Sequence, residues 1–291
     1  MPQTVRLVLT AASRIPEALV LLMTEQVTDA REQRAEATEW GHVVSVLGEL
    51  EDRVRIRSLL RGAANRVGVD AAVIEEPLAT RAPGLLMMDV DSTLITSEVI
   101  DEVAARAGTG EQVAAITERA MRGELDFADS LRARVATLAG TPVGVLDEVR
   151  ESLEFSPGAL DLIAAVKAAG GQVGLVSGGF TEVVEPLVAG LGIDHVTANH
   201  FEVRDGLLTG LTRGEVVDRA AKRRHMLRCA ELAGCTPEGV VAVGDGANDL
   251  DMLGAAGLGV AYCAKPVAAT QADATISFPR LDAVRAYLQV S

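Results

Sequence analysis

Residues 84–94 read GLLMMDVDSTL, and this stretch decides the fold. Leu85 to Met88 are apolar without a break, and the run ends on Asp89. An apolar run this short fits a strand covered on both faces, as in a parallel sheet with helices on either side. Similar runs recur at 172–176 (QVGLV), 240–244 (VVAVG), 258–262 (LGVAY) and 274–278 (ATISF), and helical stretches separate most of them. The alternation predicts an α/β fold with a doubly wound parallel sheet. In such sheets ligands bind beyond the carboxyl ends of the strands. The acidic clusters at 89–91 and 245–249 both fall at such ends.

Working outward, the stretch between the first two runs has no strand pattern. It reads as helices at 97–108, 111–123, 127–139 and 142–154, with Gly108, Gly123 and Gly140 as their ends. A helical bundle inserted at about 97–157, beside the ligand-binding edge, is a natural cap. Toward the N-terminus, strands are expected at 5–11, 28–36, 41–48 and 69–75, and helices at 14–25 and 51–67. The order βαββαβ describes a small α+β domain over residues 1–80. Pro77 to Pro83 reads as a linker, and residues 81–291 as the α/β domain with its cap.

Composition narrows the function. The net charge of −14 and the absence of a basic cluster exclude a backbone-tracking nucleic-acid binder. No apolar stretch approaches the ~20 residues of a membrane helix, and Arg6, Arg14 and Glu17 break up the first segment, so no signal peptide is expected. Cys229, Cys235 and Cys263 form no CxxC pair, which suits free thiols in a reducing cytoplasm. An acidic chain that binds phosphate needs local cations at the site.

Four segments can carry chemistry. Asp89 and Asp91 are two apart at a strand end, so they flank one site, and a cation or a shared proton must offset their repulsion. Alone, the pair reads more readily as a strand-end turn. Ser177-Gly178-Gly179 follows an expected strand and offers a hydroxyl and close backbone N–H groups to an anion, or else makes a tight turn. Lys222 lies in an expected helix and on its own reads as a solvated lysine. Asp245-Gly246-Ala247-Asn248-Asp249 gathers oxygen ligands suited to Mg²⁺, the alternative being an Asx-rich turn. In the expected cap, Arg134 borders an apolar stripe of Phe127, Leu131, Val135 and Leu138; it needs an anionic partner or must snorkel to water. Glu98 stands where the chain enters the cap, and could equally be a first-turn helix acid.

Acid pair, hydroxyl–glycine segment, lysine and acid loop occur here in the order found in the haloacid dehalogenase superfamily, which the chain resembles over about 84–291. GDGAND and DVDSTLI bring it closer to the phosphoserine phosphatases. That resemblance implies hydrolysis of O-phospho-L-serine, the last step of serine biosynthesis. Asp89 is then the nucleophile and Asp91 the general acid and base. It further implies Mg²⁺ held by Asp89, Asp91 through its carbonyl, and Asp245, with Asp249 supporting them. Ser177, Gly178, Gly179 and Lys222 would hold phosphate. Arg134 would grip the substrate carboxylate and Glu98 its ammonium. Met121 and Phe127 would close over the substrate, and Asn248 would contact phosphate or substrate. The N-terminal domain is similar in pattern to ACT-like regulatory domains. Its first strand-to-helix turn, TAASRIPEA at 10–18, lacks the glycine usual in the amino-acid-binding ones, which leaves homodimerisation as its expected role. Competing expectations are a phosphatase or phosphotransferase for another small phosphorylated metabolite, a phosphoacceptor sensor, and an amino-acid-binding regulator. The second acid at Asp91 and the cap speak against a sensor, and the GDGAND loop against a pure regulator.

Overall fold

A computed structural model describes residues 2–290; of the expected ranges 1–80 and 81–291, only Met1 and Ser291 lie outside the described residues. The chain begins with β1 (Gln3–Ala11), α1 (Glu17–Thr24), β2 (Thr28–Thr38), β3 (Gly41–Leu50), α2 (Arg53–Asn65) and β4 (Asp70–Glu75). These strands form an antiparallel sheet in the order β2-β3-β1-β4, a split β-α-β arrangement. Alternation along β1 explains how the sheet sits. Val5, Leu7 and Leu9 pack with Leu19, Met23, Ile56 and Leu60 of the two helices, while Val8 faces the opposite way, into the core shared with Leu86 and Met88.

The connection at 77–83 differs from the expected linker. Leu78 and Ala79 are buried, and the segment forms hydrogen-bonded turns from Ala79 N–H to Glu75 O and from Arg81 N–H to Pro77 O. Two apolar residues among the prolines give this segment something to bury. It docks the N-terminal sheet on the rest of the chain. Asp70 accepts hydrogen bonds from Thr275 and Ser277, Arg57 pairs with Asp273, and Trp40 stacks near Phe278.

The body follows: β5 (Leu85–Met88), then the cap helices α3 (Val99–Ala107), α4 (Gly110–Met121), α5 (Phe127–Ala136) and α6 (Val145–Ser152), then α7 (Ala159–Ala168), β6 (Gln172–Phe180) and α8 (Thr181–Leu187). Next come β7 (His195–Arg204), β8 (Leu207–Arg213), α9 (Arg219–Leu232), β9 (Val240–Gly244), α10 (Leu250–Leu253), β10 (Leu258–Tyr262), α11 (Pro266–Gln271) and β11 (Ala274–Ile276). The sheet order is β11-β10-β9-β5-β6-β7-β8. On central β5, Leu85 and Met87 pack toward α9, while Leu86 and Met88 pack toward α7. A strand covered on both faces has no polar side to show, which is why it read as an unbroken apolar run.

The sequence reading left 195–213 unassigned, and the structure places a β-hairpin there. Its second strand, β8, runs antiparallel, so the sheet is mixed at one edge and not wholly parallel. The hairpin turns at Asp205-Gly206, both in the left-handed region. Its β8 hydrogen-bonds the base of the cap, through Leu208 O with Gly140 N–H and Leu208 N–H with Thr141 O. Two antiparallel crossings, at Leu94–Thr96 and Glu154–Ser156, join cap to body.

Candidate active site

The carboxyl ends of β5, β6 and β9 converge under the cap, and each presents a polar group. β5 ends at Met88, so Asp89 emerges at the sheet edge; its N–H donates to Val243 O at 2.9 Å and its Oδ1 accepts from Val90 N–H at 2.7 Å. Beyond it the chain bends sharply, with Ser92 at φ 56°, and returns into α3. Asp91 is thereby turned toward β6: Oδ1 accepts from Val99 N–H at 2.8 Å and Oδ2 from the Ser177 hydroxyl at 3.1 Å. Ser177 in turn accepts from Gly179 N–H at 2.7 Å. The Ser177-Gly178-Gly179 segment lies inside β6 at a register shift, where a strand-to-helix turn was the alternative expectation. Glycine is required here for space. A Cβ on Gly178 would sit 2.9 Å from the Phe127 ring, and one on Gly179 would sit 2.7 Å from Asp91 Oδ2.

Helix α9 supplies the cation. Asp218 caps it by accepting from Ala221 N–H at 2.8 Å, which starts the helix one turn before Lys222. Lys222 is fully buried, with its Nζ 2.7 Å from both Asp89 Oδ2 and Asp249 Oδ1. Asp249 also accepts from Gly246 N–H at 3.0 Å, which closes the loop after β9. Ligand oxygens of Asp89, Asp245 and Asp249 lie within 4.8 Å of one another. The Asp91 side chain is not part of this cluster, because it is bound to Val99 and Ser177.

Burial dominates the electrostatics. It pushes the Asp89 carboxyl well above the ordinary carboxylate range, with Asp249 adding to the effect. Asp91 is pushed up to about 7, by burial and then by the charge of Glu98. Lys222 stays charged although burial opposes it, because Asp249 and Asp89 hold the proton on. Asp245 is raised by burial, and Lys265 partly offsets this from 3.4 Å.

Above these groups is a cleft of about 590 Å³, roofed by α4 and α5. Asp89, Asp91, Glu98, Phe127, Arg134, Gly178, Gly179, Asp245 and Asn248 all line it. Ser177, Lys222 and Asp249 lie behind its wall, fully buried. Met121 lines it from the rim, 81 % exposed. Half-buried Arg134 has Asp101, Glu98 and Asp91 as its acidic neighbours, and Glu98 accepts from the Ser92 hydroxyl at 2.9 Å. The sequence reading missed Lys265, Arg219 and Thr117, which line the same cleft. Lys265 had a positional signal, since it follows β10 on the ligand-binding edge. Thr117 Oγ1 is buried with no hydrogen-bond partner among the described residues.

The family model for haloacid dehalogenase-like hydrolases matches residues 86–254. A phosphoserine phosphatase of Streptococcus thermophilus is 50 % identical over 198 residues, which cover 68 % of this chain and 92 % of that protein. The chain belongs to the phosphoserine phosphatase family of haloacid dehalogenase-like hydrolases. A second member, from Mycobacterium tuberculosis, is 53 % identical over 77 % of this chain, and the chain spans only about half, 54 %, of its length. Among solved structures, a haloacid dehalogenase family hydrolase from Salmonella enterica serovar Typhi is similar over 98 % of both chains, with a TM-score of 0.87 at 29 % identity. The family's fold thus extends in that relative to an N-terminal portion like this one. No helix among the described residues is long and apolar enough to cross a membrane.

Proposed function

We propose that the chain is a cytoplasmic, Mg²⁺-dependent phosphoserine phosphatase. The observation that carries the reading is that Arg134 and Glu98 share one cleft with Asp89 and Asp91. A guanidinium for a carboxylate and a carboxylate for an ammonium, set over a phosphoryl-transfer pair, describe phosphoserine and not a neutral phosphate ester.

Asp89 attacks phosphorus through its carboxylate and takes the phosphoryl group as an aspartyl-phosphate, and the serine alkoxide leaves. Asp91 protonates that alkoxide. The resulting carboxylate then takes a proton from the water that hydrolyses the acyl-phosphate, which returns both residues to their starting states. A carboxyl at about 7 suits both roles near neutral pH. Lys222 offsets the charge that builds on Asp89 and the phosphoryl oxygens, while Ser177 and the Gly178 N–H orient them, with Gly179 lining the same site and its N–H holding Ser177 Oγ. Asn248 contacts phosphate or substrate, and Met121 and Phe127 cover it.

The metal fits these residues: three carboxylates with hard oxygen donors stand within 4.8 Å of each other, with lysines as their counter-charges. Asp89, Asp245 and the carbonyl of Asp91 would hold Mg²⁺, with Asp249 supporting them. Bound there, the ion supplies Lewis-acid charge to the phosphoryl oxygens. Residues 1–80 form an ACT-like unit that serves in homodimerisation, and residues 81–291 form the phosphatase unit with its cap at about 97–157. Phosphate release from O-phospho-L-serine tests the function: turnover is expected with Mg²⁺ and none with a chelator. Silence on phosphoserine alongside turnover of another phosphorylated metabolite would overturn the substrate assignment.

A further inference from the structure

A second cleft, of about 630 Å³, lies where the N-terminal sheet meets the turn Leu281–Tyr287 of the body, and it shares no lining residue with the catalytic cleft. Its deep wall carries Arg6, Ser45 and Trp40, which are 5 %, 7 % and 9 % exposed. Arg6 projects from β1 on the face that carries Val8. Its Nε donates to Ala79 O at 2.8 Å; among the described residues, its two terminal nitrogens make no hydrogen bond and no ion pair. Arg285, half-buried in the same wall, has no ion pair among the described residues either. Ser45, also buried, brings a hydroxyl to the same wall. A buried guanidinium whose terminal nitrogens have no ion pair or hydrogen bond is costly, and such a group is suited to bind an anion.

Burial holds the Arg6 guanidinium below its ordinary value and outweighs Glu32 and Glu76, which act on it from beyond ion-pair distance; the acids that line the cleft do not pair with it either. Glu36, Glu39 and Asp161 are exposed at the rim, where water screens them. Asp282 is already held by Arg280 through hydrogen bonds of 3.0 and 2.7 Å. Arg34 pairs with Glu32 at 2.7 Å on the surface. The buried end of the cleft is therefore cationic and offers a hydroxyl.

We propose that this cleft is a binding site for a small oxyanion, a carboxylate or a phosphate, held by the guanidiniums of Arg6 and Arg285. An occupant would touch β1 and β3 on one side and the Leu281–Tyr287 turn on the other, so binding would also tie the N-terminal sheet to the body.

Trp40 is the single tryptophan of the chain and lines this cleft and not the catalytic one, so its emission reports on this region. The full-length protein is titrated with inorganic phosphate in one series and with acetate in another. A saturable change in emission is expected in at least one series, and the tighter of the two names the source of the oxyanion. Arg6→Gln should weaken that response at least about tenfold, whereas Arg134→Ala, which alters the catalytic cleft, should leave it in place. Should Arg6→Gln fail to fold, Arg285→Gln decides, with weakening again expected. No saturable response to either anion overturns the proposal, and so do unchanged titrations in the folded arginine variants.

Discussion

Lys222 Nζ and Asp89 Oδ2 lie 2.7 Å apart, with side chains 0 % and 3 % exposed. The same ammonium reaches Asp249 at 2.7 Å, so one buried cation holds two buried carboxylates. Lys222→Met would leave those acids unpaired. It should cost about 3–5 kcal/mol in metal-free protein, the usual penalty for removing one partner of a buried pair. The loss should shrink in acid. Asp89 is raised above its unfolded value, so its protonated, neutral form adds stability in full below that value and loses it as pH rises through the folded one. The difference in urea midpoint between chelated parent and chelated variant, at about pH 5 and about pH 8, checks this, and an equal difference at the two pH values would count against the ion pair as the source.

Asp89→Asn, by contrast, leaves Lys222 paired with Asp249. The fold should survive with a melting temperature close to that of the parent, while phosphoserine turnover drops to background. Appreciable turnover in this variant would remove Asp89 from the nucleophile role.

How much of this was open to sequence reading depends on where the signal was stored. The runs at 85–88, 172–176, 240–244 and 258–262 announced themselves because burial on both faces removes polar residues from a strand. Asp89, Asp245 and Asp249 followed, being the residues at the ends of those runs. The hairpin at 195–213 was overlooked although Asp205-Gly206 between Val203 and Leu207 is a turn signature; polar residues in β7 and β8 masked the alternation. Leu78 and Ala79 were hidden among prolines that suggest a linker. Lys265 had a positional signal, coming just after the run at 258–262, but its pairing with Asp245 across two parallel strands is encoded by no local pattern.

The Asp91 carboxyl at about 7 gives the metal-free protein a distinct pH profile. Its folded value lies above its unfolded one, so the group stabilises the fold fully below about pH 4 and ceases to do so as pH rises through about 7, a loss on the order of 4 kcal/mol. Asp91→Asn should flatten this decline. Urea midpoints for both proteins across that range decide, and parallel curves would mean that Asp91 titrates near the ordinary carboxylate value.

Arg134 tests the substrate. If it meets a carboxylate, Arg134→Ala should lower kcat/KM for phosphoserine by about 10²-fold and leave an aryl phosphate within a few-fold of the parent. Similar losses on both substrates would make Arg134 a general part of the cap.

Gly179 tests the placement of Asp91 without touching a titrating group. A methyl added there would stand 2.7 Å from Asp91 Oδ2 and 3.0 Å from Ser177 Oγ, closer than such atoms can approach. The backbone at Gly179 is not left-handed, so alanine meets no torsional obstacle, and the conflict is one of space alone. Asp91 is the group that can yield, at the expense of its bonds to Ser177 and Val99. A displacement of about 1 Å in a reacting group can cost ~10²-fold, so kcat should fall by that order with KM little changed. Since both substitutions would act through one carboxyl, Gly179→Ala combined with Asp91→Asn should be no worse than Asp91→Asn alone. Fully additive losses in that double variant would show that Gly179 acts through another group, such as the Gly178 N–H or the Ser177 hydroxyl.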